Sequence, residues 1–189
     1  MLTYTWATTH AALNDLPAAL LLTAVLFDLA GWALKRETLR AAGLWTLWAG
    51  VVGGWAAYLS GRMAEDSIDH GQAIHEIMQR HERLALYLMV LFTALLAWRL
   101  WRRGQLSPLE DLAVRFIGIA GVALLLVVAK VGGQAVFDHA AGVTDDALVA
   151  EAKDRGIALP AAPAGDSATA AAPTSGGHQH APGTPPHEH

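Results

Sequence analysis

The sequence contains no cysteine, and this absence excludes several kinds of site. Without thiols the chain can form no disulfide, no thiolate metal centre and no covalent c-type haem attachment. Charged residues are scarce too, at 16% of the chain, against about 25% in soluble domains. The net charge of −4 gives no basic surface for nucleic acid. Residues 1–15 contain no Lys or Arg, so we expect no cleavable signal peptide and a first apolar segment that stays as an anchor.

Long apolar runs dominate what remains. Hydrophobic residues make up 53% of the 189 residues, and seven are Trp, which favours the membrane interface. A membrane-spanning helix needs about 20 apolar residues, and four segments meet that requirement. We predict an all-α polytopic membrane protein with a four-transmembrane-helix bundle over residues 1–143. A polar periplasmic segment (144–158) and a disordered tail rich in Ala, Pro and His (159–189) follow. The predicted spans are 16–34, 41–61, 83–101 and 116–137.

Basic residues orient this bundle. They cluster between the first and second spans and around the turn between the third and fourth spans, and such loops stay in the cytoplasm. The sequence therefore predicts a bacterial inner (cytoplasmic) membrane protein with both termini outside. The residues concerned are Lys35, Arg36, Arg40, Arg99, Arg102, Arg103 and Arg115.

Histidines collect on the opposite, outer side. On this topology His10 precedes the first helix, His81 begins the third and His139 ends the fourth. Imidazole is the commonest metal ligand and the usual axial ligand of b-type haem. We predict that these three residues form a periplasm-facing site, with Asp15 as a fourth ligand or an orienting group. Haem b needs two axial histidines, whereas a Zn, Cu or Fe ion needs three or four ligands, and the sequence does not choose between them.

Other histidines are weaker candidates. His70 and His75 lie in the second loop, on the same predicted side. The C-terminal tail carries two His-x-His pairs, and such flexible tracts bind metal loosely. The tail histidines are His178, His180, His187 and His189.

Two charged residues lie inside apolar segments. A charge at that depth is costly and marks either an internal pair or a functional group. Asp28 can meet Arg99 or Arg115 from the cytoplasmic end, whereas Lys130 can pair with Asp138 or extend outward. A small ion or proton transporter that uses Asp28 is one alternative function.

Three stretches resemble a known family. His10 is followed by an apolar run with Pro17, Arg80-His81 opens the third helix, and the fourth ends in Gly132-Gly133-Gln-Ala-Val-Phe-Asp-His-Ala-Ala-Gly-Val. Together they resemble the bacterial four-helix membrane family known as domain of unknown function twenty-two thirty-one. The resemblance covers residues 9–143 and implies a four-helix fold. It draws attention to His10, His81 and His139 but implies no established activity.

The sequence therefore favours a membrane protein that binds a metal ion or b-type haem in redox or metal handling. The alternatives are the transporter and a non-catalytic accessory subunit that packs in a larger membrane redox complex. A homo-oligomer in the lipid bilayer fits as well. The sequence contains no catalytic motif that would make an enzyme the preferred reading.

Overall fold

The computed structural model describes residues 5–66, 72–103 and 105–157. Within these ranges the regular structure is entirely helical, as predicted, and it comprises five helices. They are α1 (Trp6–Ala33), α2 (Glu37–Glu65), α3 (Gln72–Trp101), α4 (Pro108–Phe137) and α5 (Asp145–Asp154).

The first and third helices begin earlier than the apolar runs indicate. Thr5 caps α1 by accepting from the backbone N–H of Thr8, and the Thr8 hydroxyl returns a bond to the backbone of Thr5. This capping box carries the helix across a polar stretch, so His10 lies inside α1 and not before it. His81 likewise lies inside α3. The predicted placements of both residues at helix starts were wrong, because hydropathy marks the apolar part of a helix and not its capped end.

The first four helices form a ring. Helix α1 packs against α2 and α4, and α3 packs against the same two neighbours. Helices α1 and α3 therefore face each other diagonally across the bundle. The centre is filled by Leu21, Leu47, Phe92 and Val114, one from each helix and all almost fully buried. Close packing of such side chains fixes the four helices relative to one another.

Helix α2 runs antiparallel along the whole of α1. The Arg40 side chain reaches Gly31 at one end, and the His10 ring contacts Gly61 at the other. Glycines at positions between these ends let the two backbones approach closely, as small residues do in membranes. The glycines of α2 are Gly43, Gly50, Gly53, Gly54 and Gly61.

In the described parts of the chain, three helices are long and apolar enough to cross a membrane: α1, residues Ile74–Trp101 of α3, and α4. Large apolar side chains such as Leu26, Phe116 and Leu126 are exposed on them, as expected for surfaces that meet lipid. Helix α2 does not reach the same hydropathy, so the fourth crossing stays a prediction.

The chain after the bundle belongs to a second unit, which contains most of α5. Helix α5 lies within the segment predicted to be polar, and none of its residues is buried. The predicted disordered tail and its four histidines lie outside the described residues, and so does His70.

Candidate histidine site

His10 links α1 to α2 through one ring nitrogen. Its Nδ1 lies 2.9 Å from the carbonyl oxygen of Ala57 and 3.3 Å from the Ser60 hydroxyl. A carbonyl oxygen can only accept, so Nδ1 carries the hydrogen and donates it. Ser60 also donates to the carbonyl of Ala57, at 2.9 Å. In the neutral ring this tautomer leaves the lone pair on Nε2.

His81 makes the same link between α3 and α4. Its Nδ1 lies 3.1 Å from the carbonyl oxygen of Val128. By the same reasoning this nitrogen donates and Nε2 holds the lone pair. Both rings are half-buried. Within the part of the chain that the structure describes, Nε2 of neither ring makes a hydrogen bond.

Each ring lies against a glycine of the helix that it bonds. A Cβ atom placed on Gly61 would come within 2.9 Å of Cε1 of His10. One placed on Gly132 would come within 2.8 Å of Cε1 of His81. Real Cβ atoms do not approach that closely, so the glycines make the space in which the rings lie.

This arrangement is the one that prepares imidazole for a metal. Histidines that bind metals usually donate their other N–H to a carboxylate or a backbone carbonyl, which fixes the tautomer and the ring orientation. His10 and His81 both have that anchor. Because Nε2 keeps its lone pair, each ring can donate to a metal ion or to haem iron without first losing a proton.

The other predicted ligands do not join this pair in the structure. His139 is exposed and lies two residues beyond the end of α4. Asp15 is exposed too, five residues after His10 and so about 140° around the helix axis from it. Among the described residues, no three His, Asp or Glu side chains are placed to hold a metal ion. The full set of His10, His81, His139 and Asp15 stays a prediction.

Carboxylates near His81 are engaged elsewhere. Glu82 accepts from the Tyr58 hydroxyl at 3.1 Å and from the Arg62 guanidinium. Both partners come from α2, so these contacts join α2 to α3 at the histidine end of the bundle. Glu76 is exposed. The structure therefore gives backbone carbonyls, not carboxylates, as the groups that orient the two rings.

His75 belongs to a separate local cluster. Its Nε2 lies 2.8 Å from the side-chain nitrogen of Gln79, one turn along α3. Its Nδ1 lies 3.8 Å from a carboxylate oxygen of Glu65 at the end of α2. These contacts are to its neighbours at the surface and do not include His10 or His81.

The opposite end of the bundle contains the charged side chains that the membrane should disfavour. Arg99 donates to Asp28 at 2.7 Å, and both side chains are only 11% exposed. Arg40 donates to Asp111 at 2.7 Å, and Arg115 donates to the same carboxylate at 2.6 Å. Arg99 is thus the partner of Asp28, one of the two that the sequence offered. The pair between Arg40 and Asp111 was not anticipated.

The remaining charges near this core differ in surroundings. The Arg115 guanidinium also lies over the Trp32 ring, 4.8 Å from its centroid, which favours a cation. Lys130 is exposed on the outside of α4, and the described residues form no ion pair with it. It has the position of a side chain that extends toward the membrane surface.

Comparison with known proteins gives a family but no activity. No curated protein and no solved structure matches the chain. One family model matches residues 7–145, which include both histidines, their carbonyl partners and all four helices of the bundle. The chain therefore belongs to the family described as predicted membrane protein (DUF2231), the family that the histidine and glycine motifs resemble.

Proposed function

We propose that the chain crosses a bacterial inner membrane four times, with both termini outside. Helix α1 is apolar enough to span, and α2 follows it antiparallel from Gly31 to His10. A helix packed along a spanning helix over its whole length spans as well. The lower hydropathy of α2 reflects its glycines and its residues Trp45, Trp48, Trp55 and Tyr58, which score low in hydropathy but are common in membrane helices or at their interfaces.

The charge distribution supports this orientation. The pair between Asp28 and Arg99 places the C-terminal ends of α1 and α3 together. Both basic turns therefore lie at one end of the bundle, and His10 and His81 lie at the other. Positively charged turns remain in the cytoplasm, so the histidine end faces outward.

We propose further that His10 and His81 bind a metal centre at this outward end. The observation that carries this proposal is the shared hydrogen bond from Nδ1 to a backbone carbonyl. It fixes the tautomer that leaves Nε2 as a ligand, and it does so twice. A single such bond is ordinary helix packing, whereas two matched ones present two identical donors at one end of the bundle.

A b-type haem suits two donors better than a bare ion does. A bound Zn ion needs three or four ligands, but haem iron needs only two axial ones because its porphyrin supplies the rest. His139 and Asp15, the other predicted ligands, are exposed in the structure. A haem at this position would carry electrons for a larger redox complex in the membrane.

The transporter alternative loses its main support. It depended on Asp28 as a charge without a partner inside the apolar segment. Because Arg99 binds that carboxylate, the pair stabilises the bundle and offers no free carboxylate to a passing proton or ion.

The test is an absorbance spectrum of the full-length protein purified in mild detergent, together with elemental analysis for Fe, Cu and Zn. We expect a Soret band that is lost in His81→Asn. Asparagine places an amide N–H near the position of Nδ1 and so keeps the bond to Val128, but it lacks Nε2. The matched control is His75→Asn, a histidine on the same side whose contacts are to Gln79 and Glu65, and it should leave the band unchanged. A protein that carries neither haem nor metal would contradict the proposal.

A further inference from the structure

The two halves of the bundle repeat each other at a spacing of 71 residues, which is also the sequence separation between the members of both interior ion pairs. The hydrogen bond of His10 to Ala57 spans 47 positions, and so does that of His81 to Val128. Gly61 and Gly132, which contact the two histidine rings, are also 71 residues apart. Buried residues of α1 and α3 also correspond: Leu21 with Phe92, Ala24 with Leu95, and Val25 with Leu96.

The ion pairs locate an axis between the halves. Asp28 and Arg99 occupy equivalent positions of the repeat, and so do Arg40 and Asp111. Helices α1 and α3 lie on one diagonal of the four-helix ring and α2 and α4 on the other, so a contact between equivalent positions joins the halves across a twofold relation. A pseudo-twofold axis therefore passes between the members of each pair and runs along the bundle, since all four helices are antiparallel neighbours.

The same axis continues to the histidine end. His10 and His81 are equivalent positions as well, on the two diagonal helices α1 and α3. Their hydrogen bonds go to opposite helices, α2 and α4. The two rings are thus held in matching ways on either side of the axis.

We propose that the two histidines share one haem, whose iron lies on the pseudo-twofold axis with His10 and His81 as its two axial ligands. This inference rests on the proposed function and deepens it. Haem has one central iron that accepts one axial ligand on each side of the porphyrin, so a single haem can take both rings. Two separate centres would leave each with a single protein ligand, although the structure supplies the ligands as a pair.

The experiment titrates ferric haem into the full-length protein in detergent, with His10→Asn, His81→Asn and the double variant beside it. Sharing predicts one haem per chain with a six-coordinate, low-spin spectrum. Each single variant should convert the whole signal to a five-coordinate, high-spin form. The double variant should bind at least tenfold more weakly than either single variant. His75→Asn is the control, because its contacts are to Gln79 and Glu65, and it should titrate as the natural chain does.

Other results overturn the inference in distinguishable ways. Two haems per chain, or loss of half the signal in each single variant, would mean separate centres and leave the proposed function standing. Full low-spin signal in either single variant would show that this histidine is no ligand. No binding of haem by the natural chain would overturn the proposed function together with the sharing.

Discussion

The bundle has two halves, one formed by α1 and α2 and the other by α3 and α4. The two halves bury equivalent positions, but at several of them the residues are opposite in charge or in size. At one level the first half supplies the acid, Asp28, and the second the base; at the next level the signs are reversed. Size is exchanged as well. Val114 stands where the first half has Gly43, and Gly118 stands where it has Leu47.

These exchanges show that the two halves are complementary to each other at these positions and not identical. Two identical halves would place Asp28 against its own copy, and like charges in a low-dielectric interior repel strongly. Opposite charges at equivalent positions favour the pairing of unlike halves instead. The histidines and their glycines are the same in both halves, so identity is kept at one end of the bundle and replaced by complementarity at the other.

The largest expected effect comes from breaking the buried charge pair. Asp28→Arg places two guanidinium groups together, and removal of one partner of a buried pair costs about 3–5 kcal/mol of unfolding free energy. We expect little folded protein from this variant. Exchange of both residues, Asp28→Arg with Arg99→Asp, should restore most of the stability.

The measurement is the fraction of detergent-solubilised protein that elutes as a single monodisperse species after heating. Arg155→Asp is a control charge reversal in α5, at an exposed ion pair with Glu151, where the cost should be below about 1 kcal/mol. If the exchanged variant were as unstable as Asp28→Arg alone, the attraction between the two opposite charges would not be what holds α1 to α3 at this position.

A smaller effect should separate two equivalent glycines. A Cβ on Gly50 would lie 2.8 Å from the tip of Leu21, whereas one on Gly121 would lie 2.6 Å from the ring of Phe92. Both side chains are fully buried, but a leucine methyl group can shift by a small rotation, whereas a planar ring must move as a whole. A Cβ on Gly121 would also lie 2.9 Å from the tip of Leu91. Overpacking of this kind costs about 1–3 kcal/mol, and we expect Gly121→Ala to lower the melting temperature in detergent more than Gly50→Ala does.

Addition of Phe92→Leu to Gly121→Ala sharpens the comparison, because it gives the second half the same contact as the first. The double variant should regain part of the loss. Gly133→Ala is the control, since its Cβ would meet nothing closer than 3.8 Å. Equal melting temperatures for Gly50→Ala and Gly121→Ala would mean that the two halves accommodate the methyl group alike.

The smallest effect concerns the turns that end α1 and α3. Lys35 and Arg103 adopt left-handed backbone conformations, with φ of 53° and 50°. That region costs about 1–2 kcal/mol for a residue with a side chain, and glycine avoids the cost. Lys35→Gly should therefore raise the unfolding free energy by up to about 1 kcal/mol, measured by the same heating assay. A lower stability than that of Lys35→Ala would contradict this account.

The sequence predicted the helical class and the basic end well, because hydropathy and loop charge act locally. It did not separate the three histidines of the predicted site from one another. Positions 10, 81 and 139 all lie near helix ends in the sequence, but burial and hydrogen bonding distinguish the first two from the third. Those contacts depend on helix packing, which no single segment encodes.

The repeat spacing of 71 residues is the sequence signal that could have revealed the relation between the two halves. It relates His10 to His81, Gly61 to Gly132 and Gly50 to Gly121 in the sequence alone. Because most other equivalent positions differ in size or charge, ordinary similarity between the halves is weak. The pair between Arg40 and Asp111 becomes predictable only once the halves are aligned.

The sequence separation within each ion pair also sets when that pair can form during synthesis of the chain. Asp28 and Arg40 leave the ribosome 71 residues before their partners, a delay of roughly 4–14 s at ordinary rates of synthesis. During that interval neither Asp28 nor Arg40 has the partner that it meets in the folded bundle. Neither interior ion pair can therefore form until the second hairpin is complete.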